Sequence, residues 1–293
     1  MKNFNNKVAA ITGAASGIGR ALALNLAGQG CDLAISDINA AELDVTASQA
    51  RKKGVKVTTQ VLDVADRDAV HAWADQVVKD HGRVNMIFNN AGVAQSGSVE
   101  GTSYEDYDWI FDINFRGVLY GTKAFLPYLK KAKGGGHIIN VSSVFGLFSQ
   151  PGMSAYNATK FAVRGFTESL RQELDLKQEN VSATCVHPGG IKTNIAKNAR
   201  MSPDMAELLG RPNDADALRQ EFADQLFRTT PESAAEQILK AVQHDERRVL
   251  VGTDAKAIDT MQRLLPTAYQ RLVTFAIRRA SKQPAKPHVK ANG

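Results

Sequence analysis

Lys7-Val8-Ala9-Ala10-Ile11-Thr12-Gly13-Ala14-Ala15-Ser16-Gly17-Ile18-Gly19 is the stretch from which the fold of this chain is read. Lys7 to Thr12 forms a short apolar strand, and a glycine-rich turn follows at once. A helical pattern then begins, with Leu22, Leu26 and several alanines on one side. Glycines at such a junction let the backbone turn tightly and approach a diphosphate, whose charge is met by amides at the helix start. The spacing is GxxxGxG and differs from the GxGxxG of the common dinucleotide fingerprint. A strand before and a helix after supply the context that a cofactor site needs. Gly13, Ser16, Gly17, Ile18 and Gly19 are therefore candidate cofactor-binding residues.

The next strand, Cys31 to Ser36, ends at Asp37, eighteen residues beyond Gly19. That is near the spacing of an acid that binds the adenosine ribose hydroxyls. A carboxylate there repels the extra phosphate of NADP, and no Lys or Arg occupies Ala14–Ser16 or Ile38 to offset it. The cofactor expected is NAD. Asp37 at this place is equally compatible with a helix N-cap for residues 40–53.

Outward from this unit, strands and helices alternate. Strands are expected near 7–12, 32–36, 56–61, 84–88, 136–141, 181–186 and 247–251. Helices are expected near 17–29, 40–53, 66–81, 105–131, 152–178 and 231–244, the last with Thr230 as N-cap and Pro231 at its first position. Alternation of this kind indicates an α/β fold: a Rossmann-like, doubly wound parallel sheet of seven strands with helices on both faces. Ligands of such sheets bind outside the carboxyl ends of the strands. The polar and glycine-rich clusters of this chain sit at those ends: Asn89-Asn90-Ala91-Gly92, Ser142-Ser143, and His187-Pro188-Gly189-Gly190-Ile191-Lys192-Thr193.

Tyr156-Asn157-Ala158-Thr159-Lys160 lies on the helix expected after Ser143. A Tyr and a Lys four apart share one helix face, one turn from each other. An ammonium near a phenol favours the phenolate, and an ordinary tyrosine titrates at about pH 10. Tyr156 is the candidate base, with Lys160 its expected activator.

Taken together, TGAASGIG (Thr12–Gly19), Asp63 in LDV, NNAG (Asn89–Gly92), Asn114, Ser143, YNATK (Tyr156–Lys160) and PGGIKT (Pro188–Thr193) closely resemble the short-chain dehydrogenase/reductase superfamily, over roughly residues 5 to 252. The resemblance implies hydride transfer between NAD and a secondary alcohol or ketone. Tyr156 then takes the alcohol proton, Lys160 holds the nicotinamide ribose, Ser143 hydrogen-bonds the substrate oxygen, and Asn114 completes a proton relay through a water. It also implies that Asp63 and Val64 meet the adenine. Asn90, Ala91 and Gly92 border the adenine ribose and linker, and Pro188, Gly189, Ile191 and Thr193 fix the carboxamide.

Residues 194–229 break the alternation and read as two short helices around Gly210-Arg211-Pro212-Asn213. In the family this is a lid over the substrate pocket, and its apolar residues point to a lipophilic substrate. A catalytic domain is thus expected over 1–253, with a basic helical extension over 254–293. In that extension Ile258, Met261, Leu265, Leu272, Phe275 and Ile277 form part of an apolar side, broken at Pro266; Pro284 and Pro287 mark a disordered end.

The formal charge of +6 resides in the same extension. From Thr260 to Gly293 there are seven Lys and Arg residues and no Asp or Glu, so the rest of the chain is close to neutral. A nucleic-acid enzyme would carry its basic residues along the folded body. Two readings of the tail stand: packing on the body or a neighbouring subunit, and an interfacial helix on anionic lipid. The polar start, Met1 to Asn6, does not read as a secretory signal, and no run is long enough to span a bilayer. Cys31 and Cys185 make no disulfide framework and are expected as buried thiols, so a cytoplasmic location follows.

No histidine shows ligand spacing with Cys or acids, so no metal is expected. His187 is expected to be structural. The family pairs through the helices near 105–131 and 152–178, so a homo-oligomer, dimer or tetramer, is expected. Phe115, Val118, Leu119, Thr122, Phe125 and Leu126 are candidate contact residues. Two alternatives from other classes are an NADPH-dependent biosynthetic ketoreductase and an NAD-binding interaction protein with little turnover.

Overall fold

Strands that are apolar on both faces must be covered from both sides, which is what a parallel sheet wrapped by crossover helices achieves. The structure, a computed structural model that describes residues 1–209 and 229–281, builds such a sheet. Its strands are β1 (Val8–Thr12), β2 (Asp32–Asp37), β3 (Val57–Val61), β4 (Met86–Asn89), β6 (Gly136–Val141), β7 (Val181–Pro188) and β9 (Arg248–Val251). They run parallel in the order β3-β2-β1-β4-β6-β7-β9. The order reverses between β1 and β4, and a cleft opens at such a switch point.

One face of the sheet is covered by α1 (Gly17–Gly28), α2 (Ala40–Arg51) and α8 (Pro231–Gln243), through Leu22, Leu26, Leu43 and Ile238. The other is covered by α3 (Arg67–His81), α5 (Gly117–Lys131) and α6 (Ser154–Leu176), through Trp73, Phe125, Leu129 and Leu170. Thr230 caps α8 by accepting from the Ser233 amide at 3.2 Å, with Pro231 in the first turn. Cys31 and Cys185 are buried free thiols, and burial pushes both up to about 12, so neither is a nucleophile near neutrality.

Four features depart from the sequence reading. The helix expected over 105–131 is three pieces: α4 (Tyr104–Phe111), a π turn (Asp112–Arg116) and α5. No residue type breaks this helix; the extra residue of the π turn is set by tertiary contacts of Asn114. A second parallel pair, β5 (Gln95–Ser96) with β8 (Arg200–Met201), is too short to leave a periodic signal.

The third departure concerns the candidate oligomer face. Val118, Thr122 and Phe125 are buried in the chain's own core; only Phe115, Leu119 and Leu126 of that set reach the surface. The fourth lies in the extension, where α9 (Thr253–Leu264) and α10 (Ala268–Ser281) flank Pro266. Ile258, Met261 and Ile277 face the body, whereas Leu272 and Phe275 point to solvent, 50% and 64% exposed. At about 100° per residue, Phe275 turns away from Tyr269 and Val273, while Leu272 lies at the edge of their face.

Of the segment 194–229, the described residues hold β8 and a single turn of helix, α7 (Met205–Leu208). Gly210 to Asn213 and the second expected helix lie outside the described residues, as do Pro284 and Pro287. Among the described residues no helix is long and apolar enough to cross a membrane.

Candidate active site

The carboxyl ends of β1, β2, β4, β6 and β7 surround a cleft of about 840 Å³. Gly13, Ser16, Gly17, Ile18, Asp37, Asp63, Val64, Asn90, Ala91, Gly92, Ser143, Tyr156, Lys160, Pro188, Gly189, Ile191 and Thr193 all line it. Two further candidates, Gly19 and Asn114, sit behind its wall. At Gly19 a Cβ would collide with the Gly13 carbonyl, so α1 starts hard against the loop only because no side chain is there.

The loop is pinned from β4. Asn90 Nδ2 donates to the carbonyls of Thr12 (2.9 Å) and Gly13 (3.1 Å), and the amides of Asn90 and Ala91 both donate to Thr12 Oγ1 at 3.0 Å. The Asn90 side chain therefore serves the glycine loop in addition to lining the cleft. Asp37 Oδ2 accepts from the Ala15 amide at 3.0 Å and Oδ1 from the Asn39 amide at 3.0 Å. The N-cap of α2 is Asn39, whose Oδ1 accepts from the Glu42 amide, and not Asp37. Asp63 Oδ1 accepts from the Ala65 amide at 2.9 Å at the adjoining strand end.

Arg20 and Glu42 at the cleft edge carry no motif in the sequence. Arg20 donates to the Ala15 carbonyl and pairs with Glu42 Oε2 at 2.6 Å. The base beside the glycine loop is thus neutralised, by a pairing twenty-two residues apart that no local spacing signals.

At the other end of the cleft stand Ser143, Tyr156 and Lys160. Ser143 opens a 3₁₀ turn (Val144–Gly146), its Oγ accepting from the Phe145 amide at 3.2 Å. Behind it, buried His187 donates from Nδ1 to the Ser143 carbonyl at 2.8 Å. Burial pushes His187 down to about 4, so the ring is neutral and fixes the β6 end structurally.

Tyr156 and Lys160 are both buried on α6, and Lys160 Nζ stands 5.6 Å from the Tyr156 ring centroid. Burial pushes the phenol up to about 12, and a hydrogen bond with Ser143 works against that rise. Burial likewise pushes Lys160 down to about 8, and its Nζ donates to the Val141 carbonyl at 3.1 Å. The expected lowering of the phenol by Lys160 is outweighed by burial. Loss of water costs each charged form more than the pair returns across the ring.

Asn114 takes its place through the π turn. Its Oδ1 accepts from the Val93 amide at 2.8 Å, and Nδ2 donates to the Val93 carbonyl at 2.9 Å. A Cβ on Gly92 would lie 3.2 Å from Asn114 Oδ1 and 3.4 Å from Lys160 Nζ, so the three meet at one corner. The cradle of small residues, amides, an acid at the β2 end and a buried amine fits a dinucleotide along the switch point.

Trp109, Phe145, Met153, Ile195 and Met201 complete the wall beside Tyr156, and Arg200 lies 3.8 Å over the Trp109 ring. Asp254, at the start of α9, accepts from the Gly190 amide at 2.6 Å and so holds the loop after β7. None of these belongs to a motif. Among the described residues no group of three or more His, Cys, Asp or Glu is placed to hold a metal.

Comparison with known proteins agrees with this arrangement. The sequence profile described as short chain dehydrogenase matches residues 7–204. SadH of Mycobacterium tuberculosis, named as an oxidoreductase, is 47% identical over 277 residues, covering 94% of this chain and 97% of that protein. A short chain dehydrogenase/reductase from Burkholderia phymatum in complex with NAD has a TM-score of 0.83 at 28% identity, covering 98% of this chain and 99% of that one. Carveol dehydrogenase from Mycobacterium avium in complex with NAD has a TM-score of 0.69 at 25% identity, covering 82% of this chain and 91% of that one. The switch-point cleft, the motif residues gathered in it and these likenesses have one meaning: the chain belongs to the short-chain dehydrogenase/reductase family of oxidoreductases.

Proposed function

We propose that this protein is an NAD-dependent dehydrogenase of lipophilic secondary alcohols, working in either direction with the corresponding ketones. The observation that carries this reading is the convergence of Ser143, Tyr156 and Lys160 at one end of a cleft whose other end is an acid-tipped glycine cradle. When bound, NAD would supply the hydride acceptor for the carbinol carbon and a positive charge in the cleft. Tyr156, as phenolate, takes the hydroxyl proton at its phenol oxygen, and Ser143 donates its one hydroxyl hydrogen to the substrate oxygen. Lys160 would hold the ribose hydroxyls, with Asn114 fixing the corner that joins it to Gly92. Thr193 and the Ile191 amide would hold the carboxamide, and Asp63 with Val64 the adenine.

NAD is favoured over NADP because Asp37 projects a carboxylate at the ribose end and Arg20 is occupied by Glu42. That argues against the NADPH-dependent ketoreductase, and the intact Ser143, Tyr156 and Lys160 argue against a non-catalytic NAD-binding protein. A lipophilic substrate follows from Trp109, Phe145, Met153, Ile195 and Met201 around Tyr156. The segment expected as its lid, 194–229, contributes Asn194, Ile195, Asn198 and Met201 to the cleft wall, and its part from 210 to 228 lies outside the described residues.

The same reading places the enzyme in the cytoplasm as a dimer or tetramer. Phe115 of the π turn and Leu119 and Leu126 on α5 are joined by Phe161 and Gly165 on α6 as the pairing face. Leu264, Leu272 and Phe275, flanked by Arg263, Arg271 and Arg278, are the side of the extension that meets anionic lipid.

The test is an absorbance screen at 340 nm with NAD over steroid, aliphatic, aromatic and terpenoid secondary alcohols. At least one class should give NADH at a rate that Tyr156→Phe abolishes while NAD affinity stays within a few-fold. A Phe variant keeping a tenth or more of the parent rate removes Tyr156 as the base.

A further inference from the structure

Four aromatic rings run from the candidate base to the C-terminal extension. Phe145 meets the Tyr156 ring edge-on at 5.9 Å between centroids and stacks on Phe148 at 5.3 Å. Phe148 in turn meets the ring of Tyr269 edge-on at 6.0 Å. Tyr269 is buried on α10, and its hydroxyl accepts from the Ser149 amide at 3.1 Å. The loop between β6 and α6 therefore has one end at Ser143 and its far end tied to the extension.

The backing of this loop is also supplied from beyond residue 253. Val144 and Phe148 pack against Ala255, Ile258, Met261 and Val273, while Ile277 packs against the α7 turn at Met205. Of the rings beyond Tyr156, Phe145 is the one that lines the cleft. Stacked and edge-on aromatic contacts fix ring orientation as well as position. A ring held on one side by Tyr156 and on the other by Phe148 has its plane set by whatever holds Phe148.

We propose that Tyr269 is a positioning residue that sets substrate specificity: through Phe148 it fixes Phe145 as the wall against which the substrate's carbon skeleton lies beside Tyr156. The extension thus backs the wall of the substrate pocket without lining it, and through that wall it selects among secondary alcohols by bulk. This rests on the reading of the cleft as an NAD-dependent alcohol site.

The experiment compares the full chain with Tyr269→Ala, Tyr269→Phe and Phe148→Leu. It measures kcat and KM for a short aliphatic and a bulky cyclic secondary alcohol, NAD affinity, and hydrogen exchange of residues 143–150. Tyr269→Ala should change the ratio of kcat/KM between the two alcohols at least tenfold, chiefly through KM, with NAD affinity within twofold. Exchange across 143–150 should rise, while residues 13–19 keep their protection. Phe148→Leu, which leaves α10 intact, should shift the ratio in the same direction. Tyr269→Phe keeps the ring and should stay within threefold of the parent ratio. Equal loss on both alcohols, or unchanged exchange of 143–150 in Tyr269→Ala, overturns the inference. A parent inactive with NAD on every alcohol defeats the proposed function instead, and exchange then decides the role of Tyr269.

Discussion

Lys160 is a buried amine that donates to the Val141 carbonyl, and burial pulls it down to about 8 from an ordinary 10.5. Between those two values the folded chain binds fewer protons than the unfolded chain, so stability rises with pH across that window. Below pH 8 the whole cost of burying the ammonium is present. Lys160→Met should therefore stabilise the protein without cofactor at pH 7 by about 3 kcal/mol, less what the lost hydrogen bond to Val141 contributed, a gain that shrinks as pH climbs from 8 towards 10. Urea denaturation at several pH values reads this directly, and a Met variant less stable than the parent at pH 7 contradicts it. Measurement should stop near pH 10, where Tyr156, pushed up to about 12, begins to act with the opposite sign. The same substitution should abolish turnover. A buried charge kept against its own stability is what a functional site looks like.

Cofactor choice belongs to the same scale. Asp37 tips β2 into the cleft, and Ile38 beside it is exposed. Asp37→Ala with Ile38→Arg removes a repulsive carboxylate and supplies a partner for the ribose phosphate, and should erase or reverse the preference for NAD. Steady-state rates with each cofactor at one substrate concentration decide it. A parent protein that uses NADP as well as NAD sinks the assignment.

Among the elements, the π turn at Asp112–Arg116 has the largest consequence. A π turn inserts one residue into a helix and re-aims the side chains around it, and such turns concentrate at functional sites. Here it delivers buried Asn114 to both polar groups of Val93, its amide and its carbonyl. Asn114→Ala leaves those groups without their side-chain partner, at a cost of about 2 kcal/mol. It should also lower kcat at least tenfold, because the corner shared with Gly92 and Lys160 loses its support. Chemical denaturation and turnover check the two parts separately; a variant as stable and as fast as the parent contradicts the role.

For the molecule as a whole, the surfaces left over by the core are the informative ones. Gly165 is open to solvent, with no atom within 4 Å of the place a Cβ would occupy, and exposed Phe161 lies one turn away. That is space into which a second helix fits. Sedimentation at micromolar concentration should find a dimer or tetramer, and Gly165→Arg should shift it towards monomer. The extension leaves Leu264 74% exposed together with Leu272 and Phe275, amid arginines. Each basic residue near an anionic bilayer contributes about 1 kcal/mol, so the full chain should sediment with anionic vesicles at low salt and be released as salt rises. A chain that ignores such vesicles limits the extension to packing on the body.

What the linear sequence determined by itself was the sheet and the list of residues around its carboxyl edge. Strand and helix identity follow from hydrophobic period, and GxxxGxG, NNAG, YNATK and PGGIKT are contiguous, so their geometry is carried by neighbouring residues. The strand from 136 to 141 and the cap at Thr230 were legible for that reason. Contacts between distant residues carried no such signal. Arg20 meeting Glu42, Asp254 holding the Gly190 amide, the π turn under Asn114, and Tyr269 closing the line of rings to Tyr156 each join positions far apart in the chain. The charge states at the site belong with them. Spacing put a lysine one turn from a tyrosine, but only the packed structure decided that burial would raise the one pKa and lower the other. Desolvation depends on everything that surrounds a group, and local sequence reports only what adjoins it.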